Sequence, residues 1–225
     1  SLGDLKKWID AAWKQEIFDF LSDWFNDSTE IITRTSGSTG TPKEIRLSKE
    51  TMRNSACMTN AFFGLDASKT ALLCLPASYI AGKMMLVRAI MGGFDLVVVE
   101  PKANPFQDIA DTIDFAAITP YQLHHSAETL RTASVKSIIV GGGPVNSVLE
   151  QLVATMSTRF FETYGMTETA SHIALRCFNG DRKSMCFTAL QGVTLRQDER
   201  GCLAVLAPYL HSEELITNDM IELRG

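Results

Sequence analysis

An α/β fold, with a parallel sheet flanked by helices and followed by a small C-terminal β subdomain, is what this chain predicts. Three observations carry that reading. Between residues 71 and 165, short continuous apolar runs alternate with helical patterns, and uninterrupted apolar strands are those of a parallel sheet buried on both faces. Past about residue 172 the helical patterns stop and only short strands follow. Several strands end in loops of Gly, Ser, Thr and Pro, a composition suited to turns and to close backbone approach rather than to a core.

Residues 4–26 set Leu5, Trp8, Ile9, Trp13, Ile17, Phe20, Leu21 and Trp24 at helical spacing, with Asp4 as the cap, and predict one helix. NDS at 26–28 ends it. EIITRTS then reads as a strand, KEIRLS as its returning partner, and Ser48 as the start of a helix to about residue 63. Strands are expected at 71–76, 94–100, 115–120, 135–143 and 159–165. Helices are expected at 79–92, 120–131 and 144–156, with a short one near 105–111, and Pro144 is placed at the first position of its helix. HIALRCF, CFTAL, VTLRQ, CLAVLA, ELITN and MIELR supply the closing strands. The shift in composition divides the chain into residues 1–184, an α/β unit, and 185–225, a small β unit.

Composition removes several classes of function. A length of 225 residues suits one large domain, and 45% hydrophobic with 21% charged residues is an ordinary soluble balance. A net charge of −5 gives a nucleic-acid groove little support. No apolar run reaches the ~18 residues of a membrane span, and the N-terminus lacks the features of a signal peptide. A cytoplasmic protein without membrane contact is therefore expected. Cysteines 57, 74, 177, 186 and 202 are odd in number and have no C-x-x-C spacing, which favours reduced thiols over disulfides or zinc.

The candidate chemistry lies in the loops. Ligands of α/β sheets bind at the carboxyl ends of strands, where LPASYIAG (75–82), GGGP (141–144) and YGMTET (164–169) fall. TSGSTGTPKE (35–44) can reach the same edge. Its glycines, hydroxyls and Lys43 can surround phosphate oxygens, although Pro42 and Glu44 beside that lysine depart from the Walker A pattern. Taken alone, the loop also fits a solvated hairpin turn. Glu168 beside phosphates calls for Mg²⁺, which favours one or two carboxylates plus phosphate oxygens; taken alone, it also fits a loop cap. GGGP offers bare backbone to a flat ring.

TSGSTGTPKE, GGGP, YGMTET and TND (217–219), in that order from Thr35 to Asp219, resemble the adenylate-forming superfamily of acyl-CoA synthetases, peptide-synthetase adenylation domains and luciferases. Within it the chain most resembles the o-succinylbenzoate–CoA ligases of menaquinone synthesis. The resemblance implies that a carboxylate attacks the α-phosphorus of ATP, and that CoA then displaces AMP from the acyl-adenylate. It places Thr35, Ser36, Ser38, Thr39, Gly40 and Lys43 in the phosphate loop. Gly141, Gly142 and Gly143 would lie at the adenine, with Tyr164 and Gly165 beside them. Thr167 would contact the α-phosphate, Glu168 would bind Mg²⁺, and Asp219 would take the ribose hydroxyls. Lys43, Thr167 and Glu168 form the implied catalytic set. A homodimer is compatible with the resemblance.

Two positions depart from the family pattern. Asn218 stands where Gly is usual in Thr-Gly-Asp, and Tyr79 stands at the histidine of an aromatic-His-x-x-Gly motif ending here in Gly82. In the resembling ligases a basic residue lies six positions after that glycine. Here it is Arg88, whose guanidinium can grip a second carboxylate by two parallel hydrogen bonds; a surface Arg paired with Asp or Glu is the competing reading. Lys83 is a weaker candidate, and His172 is assigned to the acyl pocket. His124 and His125 read as helix surface. In this family a small C-terminal domain follows the ribose Asp, so the chain is expected to be the large domain alone, with the cap domain absent and poor turnover. Ligation of another aromatic or fatty acid, and a non-catalytic nucleotide-binding module, are the alternatives.

Overall fold

The computed structural model describes residues 2–34, 44–208, 210 and 213–224. Helices α1 (Leu2–Lys6) and α2 (Ala12–Trp24) precede a hairpin of β1 (Glu30–Arg34) and β2 (Glu44–Ser48). Helix α3 (Lys49–Phe63) starts at once: the Ser48 hydroxyl accepts from Thr51 N–H at 2.9 Å, and Gly64 ends the helix with φ +64°, a conformation glycine adopts without Cβ strain.

Among the described residues the main sheet has seven strands. β3 (Thr70–Leu73), β4 (Asp95–Val98), β5 (Ile113–Ile118), β6 (Val135–Val140) and β7 (Arg159–Gly165) are parallel, in the order β4-β3-β5-β6-β7. β8 (His172–Cys177) and β9 (Thr188–Ala189) extend it antiparallel. Helices α4 (Ile80–Gly92), α5 (Pro120–Leu130) and α6 (Ser147–Val153) make the crossovers. A separate three-stranded antiparallel sheet holds β10 (Thr194–Gln197), β11 (Cys202–Leu206) and β12 (Leu215–Met220).

Successive strand residues point to opposite faces, and here both faces are dry. Phe115, Ala117 and Phe161 pack with α2, α3 and α4, through Phe20, Met52 and Met84 among others. Their neighbours Ala116, Ile118 and Phe160 pack with α5 and α6 through Leu123, Leu130 and Val153. That two-sided burial is why these strands read as continuous apolar runs.

Five expectations need correction. The single helix over 4–26 is two helices, because the chain turns at 7–11 and Ala11 is extended (φ −146°, ψ 155°). The break lets Trp8 pack edge-on against Trp13, with ring centroids 5.7 Å apart and the Lys14 ammonium 4.8 Å from the Trp8 ring. No helix forms at 105–111; turns there place Phe106 in the core. Helix α6 is capped by Asn146, which accepts from Leu149 N–H at 3.0 Å, so Pro144 precedes the helix instead of starting it. ELITN and MIELR do not make two strands: β12 runs through to Met220 and residues 221–224 lie outside it. Residues 188–189 belong to the main sheet, so the stretch 185–225 is shared between two sheets. Among the described residues no helix is long and apolar enough to cross a membrane.

Candidate active site

A cavity of about 570 Å³ opens where β3, β5, β6 and β7 end. Leu75, Thr119, Gly141 and Gly165 mark those four ends around its wall, and Tyr79, just before α4, and Arg88, within it, also line the cavity. Gly82 belongs to the scaffold beneath: a Cβ there would meet Pro76 O at 2.2 Å and Leu75 O at 2.8 Å, so glycine lets α4 lie against the loop after β3.

Arg88 is the most unusual group in the cavity. It is 1% exposed, and among the described residues no carboxylate pairs with it. Its Nη2 donates to Ser171 Oγ at 2.6 Å, Nη1 lies 3.5 Å from Met85 Sδ, and Nε has no partner. Burial lowers its pKa to about 9. A surface arginine paired with Asp or Glu is therefore ruled out; this is a buried cation facing an open space.

The polar contacts continue from Arg88 in one direction. Ser171 Oγ lies 3.2 Å from His172 Nδ1, and His172 Nε2 lies 3.2 Å from Thr59 Oγ1, which donates to Ser55 O at 3.2 Å. Ser171 accepts from Arg88, so its own proton goes to Nδ1, and Nε2–H then donates to Thr59. His172 is thus assigned the neutral Nε2–H tautomer. Its pKa lies well below the ordinary value, first through burial and then through the Arg88 charge, which agrees with that assignment.

The connection from β7 to β8 delivers these groups. Met166 N–H donates to Thr169 Oγ1 at 3.1 Å, and that hydroxyl lies 2.6 Å from Ser171 O. Ala170 takes φ +60°, the one positive φ outside glycine among the described residues, and is fully buried at the cavity wall. A Cβ on Gly165 would meet Ser171 O at 2.3 Å, so glycine is required where the hairpin folds over itself. Thr167, Ser171 and His172 face the cavity, whereas Glu168 lines a neighbouring one of about 280 Å³ with Ser48, Thr51 and Leu210.

Gly141 and Gly142 line the cavity, and Gly142 takes φ +80°; Gly143 packs toward Pro120. Tyr164 hydroxyl donates to Asp219 Oδ2 at 2.5 Å, joining β7 to β12. Asn218 sits within β12 at an ordinary φ and accepts from Arg200 Nη1 at 3.2 Å, so its replacement of glycine costs no backbone strain. Tyr79 is half exposed at the mouth. Lys83 turns away to Ile32 O at 3.1 Å. His124 and His125 lie on the surface, as expected. Thr35, Ser36, Ser38, Thr39, Gly40 and Lys43 lie outside the described residues.

Ser171, Ala170 and the clamp behind GGGP were not anticipated. In that clamp Glu162 accepts from Val145 N–H at 2.8 Å and from Arg176 at 2.9 and 2.7 Å, and Arg176 also bonds Glu150 at 2.7 Å. Glu162 and Arg176, charges set among apolar neighbours in RFFETYG and HIALRCF, were the available signal.

A family model described as AMP-binding enzyme matches residues 21–198. The chain is 29% identical over 163 residues to a 2-succinylbenzoate–CoA ligase of Bacillus mycoides, covering 68% of this chain and 34% of that protein. It is 27% identical over 172 residues to another from Geobacillus sp., covering 73% and 35%. The chain thus spans about a third of the length of these curated relatives. An acyl-CoA synthetase (AMP-forming)/AMP-acid ligase II-like protein of Dyadobacter fermentans superposes with TM-score 0.86 at 35% identity, over 96% of this chain and 63% of that one. The o-succinylbenzoate coenzyme A synthetase of Bacillus subtilis in complex with ATP and magnesium ion shares the fold, with TM-score 0.69 at 21% identity over 84% and 43%.

Proposed function

Because the chain belongs to the AMP-binding enzyme family, we propose that it is the nucleotide- and acyl-binding part of an ATP-dependent acid–thiol ligase for o-succinylbenzoate. The observation that carries the substrate class is Arg88: a buried guanidinium at the cavity wall, with an unpartnered Nε and no carboxylate beside it. A buried unpaired charge is costly, and a substrate's second carboxylate would supply the missing partner. The ligases named for 2-succinylbenzoate among its relatives support the same acid.

In this reading the first carboxylate attacks the α-phosphorus of ATP, the bond to pyrophosphate breaks, and an acyl-adenylate forms. The CoA sulfur, having lost its proton, then attacks the acyl carbon and AMP leaves. No covalent nucleophile from the protein is needed, so its contribution is orientation and charge stabilisation. Gly141 and Gly142 would receive the adenine beside Tyr164, Asp219 the ribose, and Thr167 the α-phosphate. Lys43, with Thr35, Ser36, Ser38, Thr39 and Gly40, would hold the outer phosphates. Ser171 and neutral His172 would orient Arg88 without adding a competing charge.

The donors suit magnesium. Among the described residues Glu168 makes no ion pair, and one carboxylate with phosphate oxygens is a common magnesium set. Glu168 would hold the ion, which would supply neutralisation of phosphate charge.

The test compares two ligands on the chain by calorimetry: the sulfamoyl analogues of o-succinylbenzoyl-adenylate and of benzoyl-adenylate. The dicarboxylate form should bind tighter by about 1.5–3 kcal/mol, the scale of a charged hydrogen bond. Equal binding would leave the family assignment standing and reject the dicarboxylate.

A further inference from the structure

Tyr164 and Asp219 lie 55 residues apart and come from different sheets, yet they meet in a single hydrogen bond. Tyr164 lies near the end of β7, the last of the parallel strands. Its ring packs against the cluster of Ile173, Leu203 and Val205 beneath the small sheet, with Phe187 edge-on at 6.1 Å. That packing aims the hydroxyl at β12. Burial and the Asp219 charge both push the phenol's pKa up, so the tyrosine is the donor and the carboxylate the acceptor.

Asp219 itself is exposed, and short exposed carboxylates otherwise sample several rotamers. Its backbone is fixed: the Asp219 N–H donates to Thr217 Oγ1 at 3.1 Å, and Arg200 Nη2 donates to Thr217 O at 3.1 Å. Its side chain has Tyr164. We propose that the Tyr164 hydroxyl is a positioning residue for ribose recognition, holding Oδ2 of Asp219 so that the remaining acceptor sites of the carboxylate meet the nucleotide's diol. This rests on the reading of Asp219 as the ribose acceptor given above. An ionised carboxylate has about four lone-pair sites, so one bond to tyrosine leaves enough for two hydroxyls. The tyrosine then has two separable parts, a ring that packs and an O–H that orients.

Tyr164→Phe keeps the first and removes the second. Affinities of AMP, 2′-deoxy-AMP and 3′-deoxy-AMP are measured by calorimetry on the wild-type chain and on the variant. Wild type should lose about tenfold or more on removal of a hydroxyl that Asp219 receives, as expected for a hydrogen bond to a charged group. In Tyr164→Phe that ratio should fall to about threefold or less, while the variant keeps its thermal transition. A merely structural tyrosine would lower all three affinities together and leave the ratio unchanged, which overturns the proposal. A wild-type chain that binds AMP but ignores both hydroxyls overturns the reading of Asp219 and the proposal with it. Should Tyr164→Phe not fold, 4-fluorophenylalanine at position 164 restores the bulk of the para substituent without a donor, and the same ratio decides.

Discussion

Replacing Arg88 by methionine should make the ligand-free chain more stable. Burial draws the guanidinium's pKa from 12.5 to about 9. At about 1.36 kcal/mol per pKa unit, keeping the charge in the empty cavity costs on the order of 4–5 kcal/mol. Arg88→Met removes that cost and fills most of the same volume beside Met85. It also removes the bond to Ser171, a loss of about 1.5–3 kcal/mol. A net gain of about 1–3 kcal/mol remains, within the range seen when buried ions give way to apolar residues. For a chain of this size that raises Tm by roughly 3–9 °C. Thermal and urea unfolding of both proteins at pH 7 read it directly. Below about pH 9 both the folded and unfolded arginine are protonated, so the difference should be flat from pH 6 to 8. Between about pH 9 and 12.5 the unfolded chain binds the extra proton, so wild-type stability rises with pH and the difference closes. A Tm that falls by several degrees would instead make Arg88 a structural keystone and not an unpaired binding charge.

Two further changes probe the same frame. Below pH 6.5 the unfolded His172 takes a proton that the buried ring refuses, so its contribution to stability falls as pH falls, by up to about 1.36 kcal/mol per pH unit; His172→Gln should flatten that slope in unfolding curves from pH 6.5 to 5, and an unchanged slope would assign it to other groups. Gly82→Ala drives a Cβ to 2.2 Å from Pro76 O, a backbone atom that cannot swing away; a loss of about 1–3 kcal/mol, the cost of overpacking, should appear in urea midpoints, and a neutral result would mean that α4 shifts freely.

The parallel sheet was legible because strands buried on both faces leave an uninterrupted apolar signature, as FAAI at 115–118 and IIV at 138–140 illustrate. Segments whose form depends on partners were not. Residues 7–11 keep helical spacing, yet the chain breaks there and Trp8 packs edge-on against Trp13. Thr188–Ala189 reads as part of the small sheet, but β8 is its hydrogen-bonding partner. In the site, Arg88 was legible from its spacing to Gly82, whereas its burial needed three dimensions. The positive φ of Ala170 has no local signal, since residues with a Cβ rarely adopt it. Ser171 was overlooked because an isolated serine in a loop looks like solvation; its value comes from lying between Arg88 and His172.

The central claim is that Arg88 awaits a carboxylate. The most direct measurement is a cycle in which Arg88→Ala and removal of the ligand's second carboxylate are made singly and together, with binding of the two sulfamoyl-adenylates measured on both proteins. The carboxylate's advantage of about 1.5–3 kcal/mol in wild type should nearly vanish in Arg88→Ala, with the benzoyl analogue bound similarly by both. An advantage that survives the loss of Arg88 would mean that Arg88 is not the carboxylate's partner and would move the second carboxylate to another part of the cavity.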